Sequence, residues 1–335
     1  MEVADSVLRE GARLYGADPA ALHSRGGMDG AVYEYEQEGR GRILKFVPTT
    51  QDKIDQVRAK WAFADYLAQH GVRVGRPLPS ESGALLEVVQ GEDATWAVTL
   101  SERVPGRHPD WKGTPAYSDA IFEAWGQTLG RMHALARRYT GGAALPHAAE
   151  EVASFTDWCA RACQDDAMVA RWREMAETLA ALPQDRAGYG VVHNDLHPWN
   201  LLVSEERGGP VVTVIDFDVC LHHWFVCDLA TAFFPAVTGW IPITRPGMER
   251  AAFLRHAWER FMAGYERENV LDAAWLAHLP AFLKYRQMLL YVVFTDEWQA
   301  PNEWQVETLR QWQSSILSGT PVVEWDGSWA GLEGH

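Results

Sequence analysis

Hydrophobic and polar positions follow one rhythm in the first third of the chain and another beyond it. Val3, Val7 and Leu8 fall at helical spacing and predict a short helix over residues 2–14. Tyr33 and Tyr35 then alternate with polar neighbours. Glu38-Gly39-Arg40-Gly41 turns the chain into Ile43-Leu44-Lys45-Phe46, a hairpin signal. Ile54, Val57, Trp61, Ala64 and Ala68 return to a helical period that ends at Gly71. Residues 85–90 and 94–100 read as two more strands across a Gly91-Glu92-Asp93 turn. Residues 1–100 are thus expected to form an antiparallel sheet with one docked helix.

Pro105 and Gly106 break the pattern, so 101–106 reads as a linker. Beyond it, Ile121, Trp125, Leu129, Met132 and Ala136 share one face of a long helix. Further helices are expected over 151–181, 248–268, 272–297 and 302–317, with one β-rich interruption over 191–217. A β-rich lobe over 1–100, a hinge over 101–106 and a helical lobe over 107–335 place the chain in the α+β class.

Composition narrows the function. With 335 residues, 47% hydrophobic and 22% charged, the chain is globular rather than disordered. Lys and Arg number 30 against 45 Asp and Glu, a formal charge of −15. That charge argues against nucleic-acid and anionic-lipid partners and suits a cationic small substrate. The longest apolar run, 288–294, is far short of the about 20 residues a bilayer span needs. The N-terminus lacks a basic start and an apolar block, so it does not read as a signal peptide. Cys159, Cys163, Cys220 and Cys227 form no Cys-x-x-Cys pair, and His222 and His223 between the last two match no common zinc spacing. Reduced thiols and a cytoplasmic address are expected. No heptad seam speaks to oligomeric state.

The sharpest segment is His193-Asn194-Asp195-Leu196-His197-Pro198-Trp199-Asn200, between two apolar runs. A Gly208-Gly209-Pro210 turn follows, then an apolar strand that ends in Asp216-Phe217-Asp218. A hairpin with acid and amide groups at one end can hold Mg²⁺, which prefers hard oxygen ligands together with water or phosphate oxygens. Phosphoryl transfer needs such parts: charge must be neutralised, a hydroxyl positioned and its proton accepted. Asp195 can take the proton, Asn200 and Asp216 can hold the metal, and Lys45 can pair with nucleotide phosphates.

His193-x-Asp195-x₄-Asn200 followed by Asp216-Phe217-Asp218 resembles the aminoglycoside phosphotransferase and choline kinase superfamily, which shares the protein-kinase fold. The run from Ile215 through Trp224 to Asp228 is similar to a bacterial branch that includes homoserine-kinase-like enzymes. The resemblance spans about residues 22–298. It implies a bilobal protein-kinase-like fold and ATP and Mg²⁺ as cofactors. It implies a phosphate loop at Ser24-Arg25-Gly26-Gly27-Met28-Asp29-Gly30, with Gly26, Gly27 and Gly30 its glycines. Lys45 becomes the phosphate-pairing lysine, and Ser101, Glu102, Arg103 and Val104 the adenine-binding hinge. Asp195 becomes the catalytic base, with Asn200 and Asp216 the metal ligands. His193 and Asp228 become structural groups bracing the catalytic loop. Two departures stand out. The helix after the lysine strand usually carries a glutamate that pairs with that lysine, and here Lys60 aligns with it; Asp55 or Asp65 substitutes if the register differs. Val219 stands where the branch often has another Asp.

The acceptor-facing residues are read less directly. Asp218 lies near the metal strand, and Asp296 and Glu297 end a helix that can receive an ammonium. Trp224, with Trp240, Trp258, Trp298 and Trp304, offers aromatic walls for a cation. Core packing is the competing role for these tryptophans. The expected activity is transfer of the γ-phosphoryl group of ATP to a hydroxyl of a small, amino-alcohol, amino-acid or aminoglycoside-like acceptor. Two alternatives stay open. A Ser/Thr protein kinase is disfavoured because only 12 positions separate Asp216 from Asp228. A non-catalytic nucleotide-binding module is motivated by Lys60. The tail 322–335 carries no interpretable pattern.

Overall fold

The computed structural model describes residues 3–27, 30–109, 118–238 and 247–320. The chain divides into two compact units. One gathers the chain up to His108 with Arg138–Leu145 and Trp199–Cys220; the other holds the remaining described residues. The hairpin expected in the helical lobe therefore groups with the sheet.

In the sheet unit the strands are β1 (His23–Gly26), β2 (Ala31–Gln37), β3 (Arg40–Thr49), β4 (Pro77–Leu78), β5 (Glu87–Gln90) and β6 (Thr95–Glu102). They pair in the order β1-β2-β3-β6-β4, and β5 also pairs with β6. Pairing is antiparallel throughout, as the alternation of β2 and β3 requires. Leu44 and Phe46 are fully buried on one face of β3, in a core with Val7 of α1 (Asp5–Leu14). Strand alternation therefore sends Lys45 to the opposite face. Helix α2 (Ile54–Gln69) buries Phe63, Ala64 and Leu67.

The second unit is mostly helical. Its long helix α3 (Asp119–Ala136) starts at Ser118, whose side chain accepts from the Ile121 N–H, and buries Trp125, Leu129 and Met132. The single helix expected over 151–181 is two, α4 (Ala148–Ala162) and α5 (Asp166–Ala180). Gln164 takes a left-handed φ of 49° between them, and Asp165 caps the second by accepting from the Ala167 N–H at 2.9 Å. Strand β7 (Tyr189–Val192) leads into the His193–Asn200 segment. In the sheet unit, β8 (Leu201–Glu206) and β9 (Gly209–Val214) form the hairpin that follows it. Strand β10 (Leu221–Trp224) returns to pair with β7.

Helix α6 (Phe225–Thr238) was not anticipated. Every residue from Phe225 to Val237 is buried, so it has no polar face to set a helical period. The chain continues with α7 (Arg250–Tyr265), α8 (Ala273–Leu276), α9 (Leu279–Glu297) and α10 (Glu303–Ser318). No helix among the described residues is long and apolar enough to cross a membrane.

Candidate active site

Three elements of the sheet unit converge on a cavity of about 420 Å³. Strand β3 contributes Ile43 and Lys45, the β6 end contributes Ser101, Glu102, Arg103 and Val104, and the segment after β9 contributes Asp216, Phe217 and Asp218. Val32, Ala64, Leu202 and Ile215 supply apolar walls. At its edge Glu34 receives Arg25 at 2.7 Å and also the Arg103 guanidinium.

The segment after β9 is shaped to present carboxylates. Asp216 adopts φ 65°, a left-handed conformation unusual for a residue other than glycine. Lys45 Nζ donates to Asp216 Oδ1 at 3.0 Å and also to Asp218 Oδ2. Burial pushes the Lys45 ammonium down, but the charges of Asp218 and Asp216 outweigh it and hold it well above its ordinary value. Burial, aided by the neighbouring Asp216, pushes the Asp218 carboxyl up against the pull of Lys45. Asp218 is thus a partner of Lys45, not an outward-facing acceptor residue.

Lys60 resolves differently from the sequence reading. Its ammonium donates to the backbone carbonyl of Asp218 at 2.5 Å. Asp55 pairs with Arg58 at 2.6 Å and Asp65 accepts from Gln69 at 2.6 Å, so neither replaces the expected glutamate. The counter-charges of Lys45 come from the Asp216–Asp218 segment, which the register of α2 could not disclose.

Asn200 sits at the same end of the β8–β9 hairpin as Asp216. Its carbonyl accepts the Ile215 N–H at 3.1 Å, beside the Leu201–Val214 pair. Hard oxygens from an amide and a carboxylate suit a divalent ion that completes its shell with water and phosphate. Among the described residues no group of three or more His, Cys, Asp or Glu side chains could hold a metal, and the four cysteines are free. Gly26, Gly27 and Gly30 do not line the cavity. A Cβ on Gly27 would lie 2.1 Å from the Gly30 carbonyl oxygen, so the backbone there closes too tightly for a side chain, whereas a Cβ on Gly26 would meet nothing within 4 Å. Met28 and Asp29 lie outside the described residues.

In the helical unit the His193-Asn194-Asp195 loop is fastened to one buried carboxylate. Asp228, on the first turn of α6, accepts the His193 N–H at 2.9 Å and the Asn194 N–H at 2.7 Å. His133 lies 3.1 Å from the same carboxylate through Nε2. Burial pushes Asp228 up, but the His133 hydrogen bond leads the groups that bring it below its ordinary value. Asn194 has φ 68° and donates through Nδ2 to Glu151 at 2.6 Å, and Tyr285 also donates to Glu151.

Asp195 is flanked by an arginine and a histidine. Arg286 of α9, 8% exposed, donates to its Oδ1, and His197 Nε2 lies 3.3 Å from its Oδ2. Burial pushes the Asp195 carboxyl up, yet Arg286 and His197 together hold it well below the carboxylate range. Arg286, Glu151 and Tyr285 were not anticipated; an arginine just before the apolar run 288–294 of α9 was the one available signal.

Two of the aromatic candidates are core residues. Trp224 is 2% exposed and donates through its indole N–H to the Pro183 carbonyl, and Trp258 is 4% exposed, so neither can wall a cation. Trp298 stacks on Phe294 at 4.4 Å, and Trp304 is 56% exposed. Asp296 accepts from Trp158 at 3.1 Å, and Glu297 is the last residue of α9. Trp240 and the tail 322–335 lie outside the described residues.

Residues 24–283 match the model of the phosphotransferase enzyme family. The amicoumacin kinase of Bacillus subtilis (strain 168) is 28% identical over 329 residues, 97% of this chain and 95% of that one. The solved structure of an amicoumacin kinase in complex with AMP-PNP, Ca²⁺ and Ami aligns with a TM-score of 0.83 at 26% identity, covering 99% of this chain and 97% of that one. A microcompartment-associated aminopropanol kinase aligns with a TM-score of 0.71 at 21% identity over 98% and 99% of the two chains, a likeness of fold. The α+β, protein-kinase-like class expected from the motifs is the fold found.

Proposed function

The chain belongs to the phosphotransferase enzyme family and is a small-molecule kinase, and on that premise we propose that it moves the γ-phosphoryl group of ATP to a hydroxyl of a small amine-bearing acceptor with Mg²⁺ as its metal. One observation carries this reading: Lys45 is held by Asp216 and Asp218 in a cavity whose wall is the 101–104 segment. The apolar walls suit a nucleobase, and the backbone of residues 101–104 offers it hydrogen bonds. Lys45 neutralises phosphate charge. Asn200 and Asp216 would hold the metal, whose positive charge shields the phosphate oxygens when it is bound. Lys45 exchanges Asp216 for a phosphate oxygen as nucleotide enters.

Asp195 orients the acceptor hydroxyl and accepts its proton as the new P–O bond forms. Its low proton affinity makes it an orienting group first, with proton transfer late on the reaction path. Asp228 fixes the loop through two backbone N–H groups. The acidic chain and the names of the relatives, an amicoumacin kinase and an aminopropanol kinase, support an acceptor carrying both an amine and a hydroxyl.

The test is ADP release with Mg²⁺ across amicoumacin, aminopropanol, ethanolamine, choline, homoserine, methylthioribose and aminoglycosides. Turnover with at least one acceptor, lost in Asp195→Ala, is expected. Absence of acceptor-dependent ADP release across the whole panel would overturn the acceptor class.

A further inference from the structure

A second cavity in the sheet unit, also about 420 Å³, is lined by Arg40, Arg42, Arg73, Arg76 and Arg103. Glu102 and Glu206 are its acids, which leaves a formal excess of three positive charges in a chain of net −15. Glu102, Arg103 and Val104 border this cavity and the first one alike.

The arginines are delivered by ordered backbone. Arg40 and Arg42 are two apart on β3 and so share a face of the strand. The Arg103 N–H donates to the Gly41 carbonyl at 3.0 Å, and the Glu102 N–H to the Arg76 carbonyl at 3.0 Å. The Val214 N–H donates to the Arg73 carbonyl at 2.9 Å.

Their charges are incompletely matched. Arg73 reaches Glu206 at 3.2 Å and Arg103 pairs with Glu34, but Arg40, Arg42 and Arg76 have no carboxylate partner among the described residues. Arg42 Nε is shut off from solvent and has no hydrogen-bond acceptor among the described residues. Arg40 and Arg76 are exposed, and a guanidinium's fork geometry matches phosphate oxygens in pairs.

We infer that this arginine-lined groove is a second binding site, separate from the nucleotide cavity, for a small anion bearing two or more adjacent charges, of diphosphate or triphosphate type. The overall negative charge repels long nucleic acids, while a short anion sees mainly the local excess of arginine. Free polyphosphate and the phosphate tail of a nucleotide share this chemistry. The site stands independently of the phosphotransferase reading, because its arginines take no part in that chemistry apart from the bordering Arg103.

The test is calorimetric titration of the full chain with pyrophosphate, free of divalent metal. Wild type is expected to bind with a dissociation constant below about 1 mM. The double variant Arg40→Ser/Arg76→Ser, at two exposed residues with no side-chain hydrogen bond or ion pair among the described residues, weakens binding at least about tenfold, and Lys45→Ala changes it less than about twofold. Glu206→Gln, which frees Arg73, tightens it. An ADP titration locates the source: two sites in wild type and one in the double variant point to a nucleotide tail, and one site in both points to free polyphosphate. Absence of saturable pyrophosphate binding, or binding lost in Lys45→Ala and kept in the double variant, overturns the assignment.

Discussion

The carboxylates of the two units are held in opposite ways. In the sheet unit Asp216 and Asp218 share one ammonium, and the Asp216 side chain remains 45% exposed. In the helical unit Asp228 is fully buried and has its own donors, two backbone N–H groups and His133. A pair like Lys45–Asp216 can trade partners when phosphate arrives, because solvent and ligand oxygens compensate the exchange. A carboxylate like Asp228 cannot, since any lost donor leaves a buried charge unmet. On the proposed function, exchangeable ion pairs serve binding and fixed ones hold the geometry of the 193–195 loop.

The largest expected effect tests the functional side of that contrast. Asp195→Ala should lower acceptor-dependent turnover by roughly 10²–10⁴-fold, with the KM for ATP changed less than about threefold. Steady-state ADP release measures both, and near-normal turnover would remove Asp195 from its role. Asp228→Ala should instead act on the fold, costing about 3–5 kcal/mol in urea unfolding, against less than about 1 kcal/mol for Asp216→Asn, whose side chain is 45% exposed. Equal losses in the two variants would dissolve the distinction between fixed and exchangeable acids.

A smaller effect separates this chain from the lysine–glutamate arrangement its sequence was measured against. Lys60→Glu restores the expected residue type but sets a carboxylate against the Asp218 carbonyl. It should weaken ATP binding by about five- to tenfold, while Lys60→Met costs about two- to threefold. Tighter ATP binding in Lys60→Glu would mean that Lys45 needs an acid on α2 after all.

The same residues show what a sequence discloses. That Asn200 and Asp216 share one end of a hairpin is legible because their relation is local, two strands joined by a short turn. The β2–β3 hairpin and α3 are legible because one face of each is polar. Helix α6 is not, because burial on all sides erases its period. Lys60 aligns with the glutamate that would pair with Lys45, yet its partner is a backbone oxygen 158 residues away. Arg286 reaches Asp195 across 91 residues. Such pairings follow from tertiary packing, and no periodicity encodes them. Trp224 illustrates the converse error, since an aromatic residue near a motif is more often core than wall, and its buried indole shows why.

The finest test concerns how Asp195 stays ionised. Its folded pKa is depressed, because Arg286 and His197 outweigh burial. The stability this contributes is complete above the unfolded carboxyl value of about 3.9 and is lost as pH falls through the lower folded value. Above about pH 5 Asp195 is therefore fully ionised, and its protonation places no acid limb on turnover there. Arg286→Met removes the main counter-charge and leaves burial to dominate. The carboxyl should then rise, bringing an acid limb into the turnover profile about one pH unit or more above that of wild type. Thermal unfolding at matched pH separates this from loss of fold, since a purely structural arginine would lower Tm and leave the shape of the pH profile unchanged. An Arg286→Lys variant, which keeps a charge but not the fork, should fall between the two profiles, and coincidence of all three would mean that Arg286 does not govern the ionisation of Asp195.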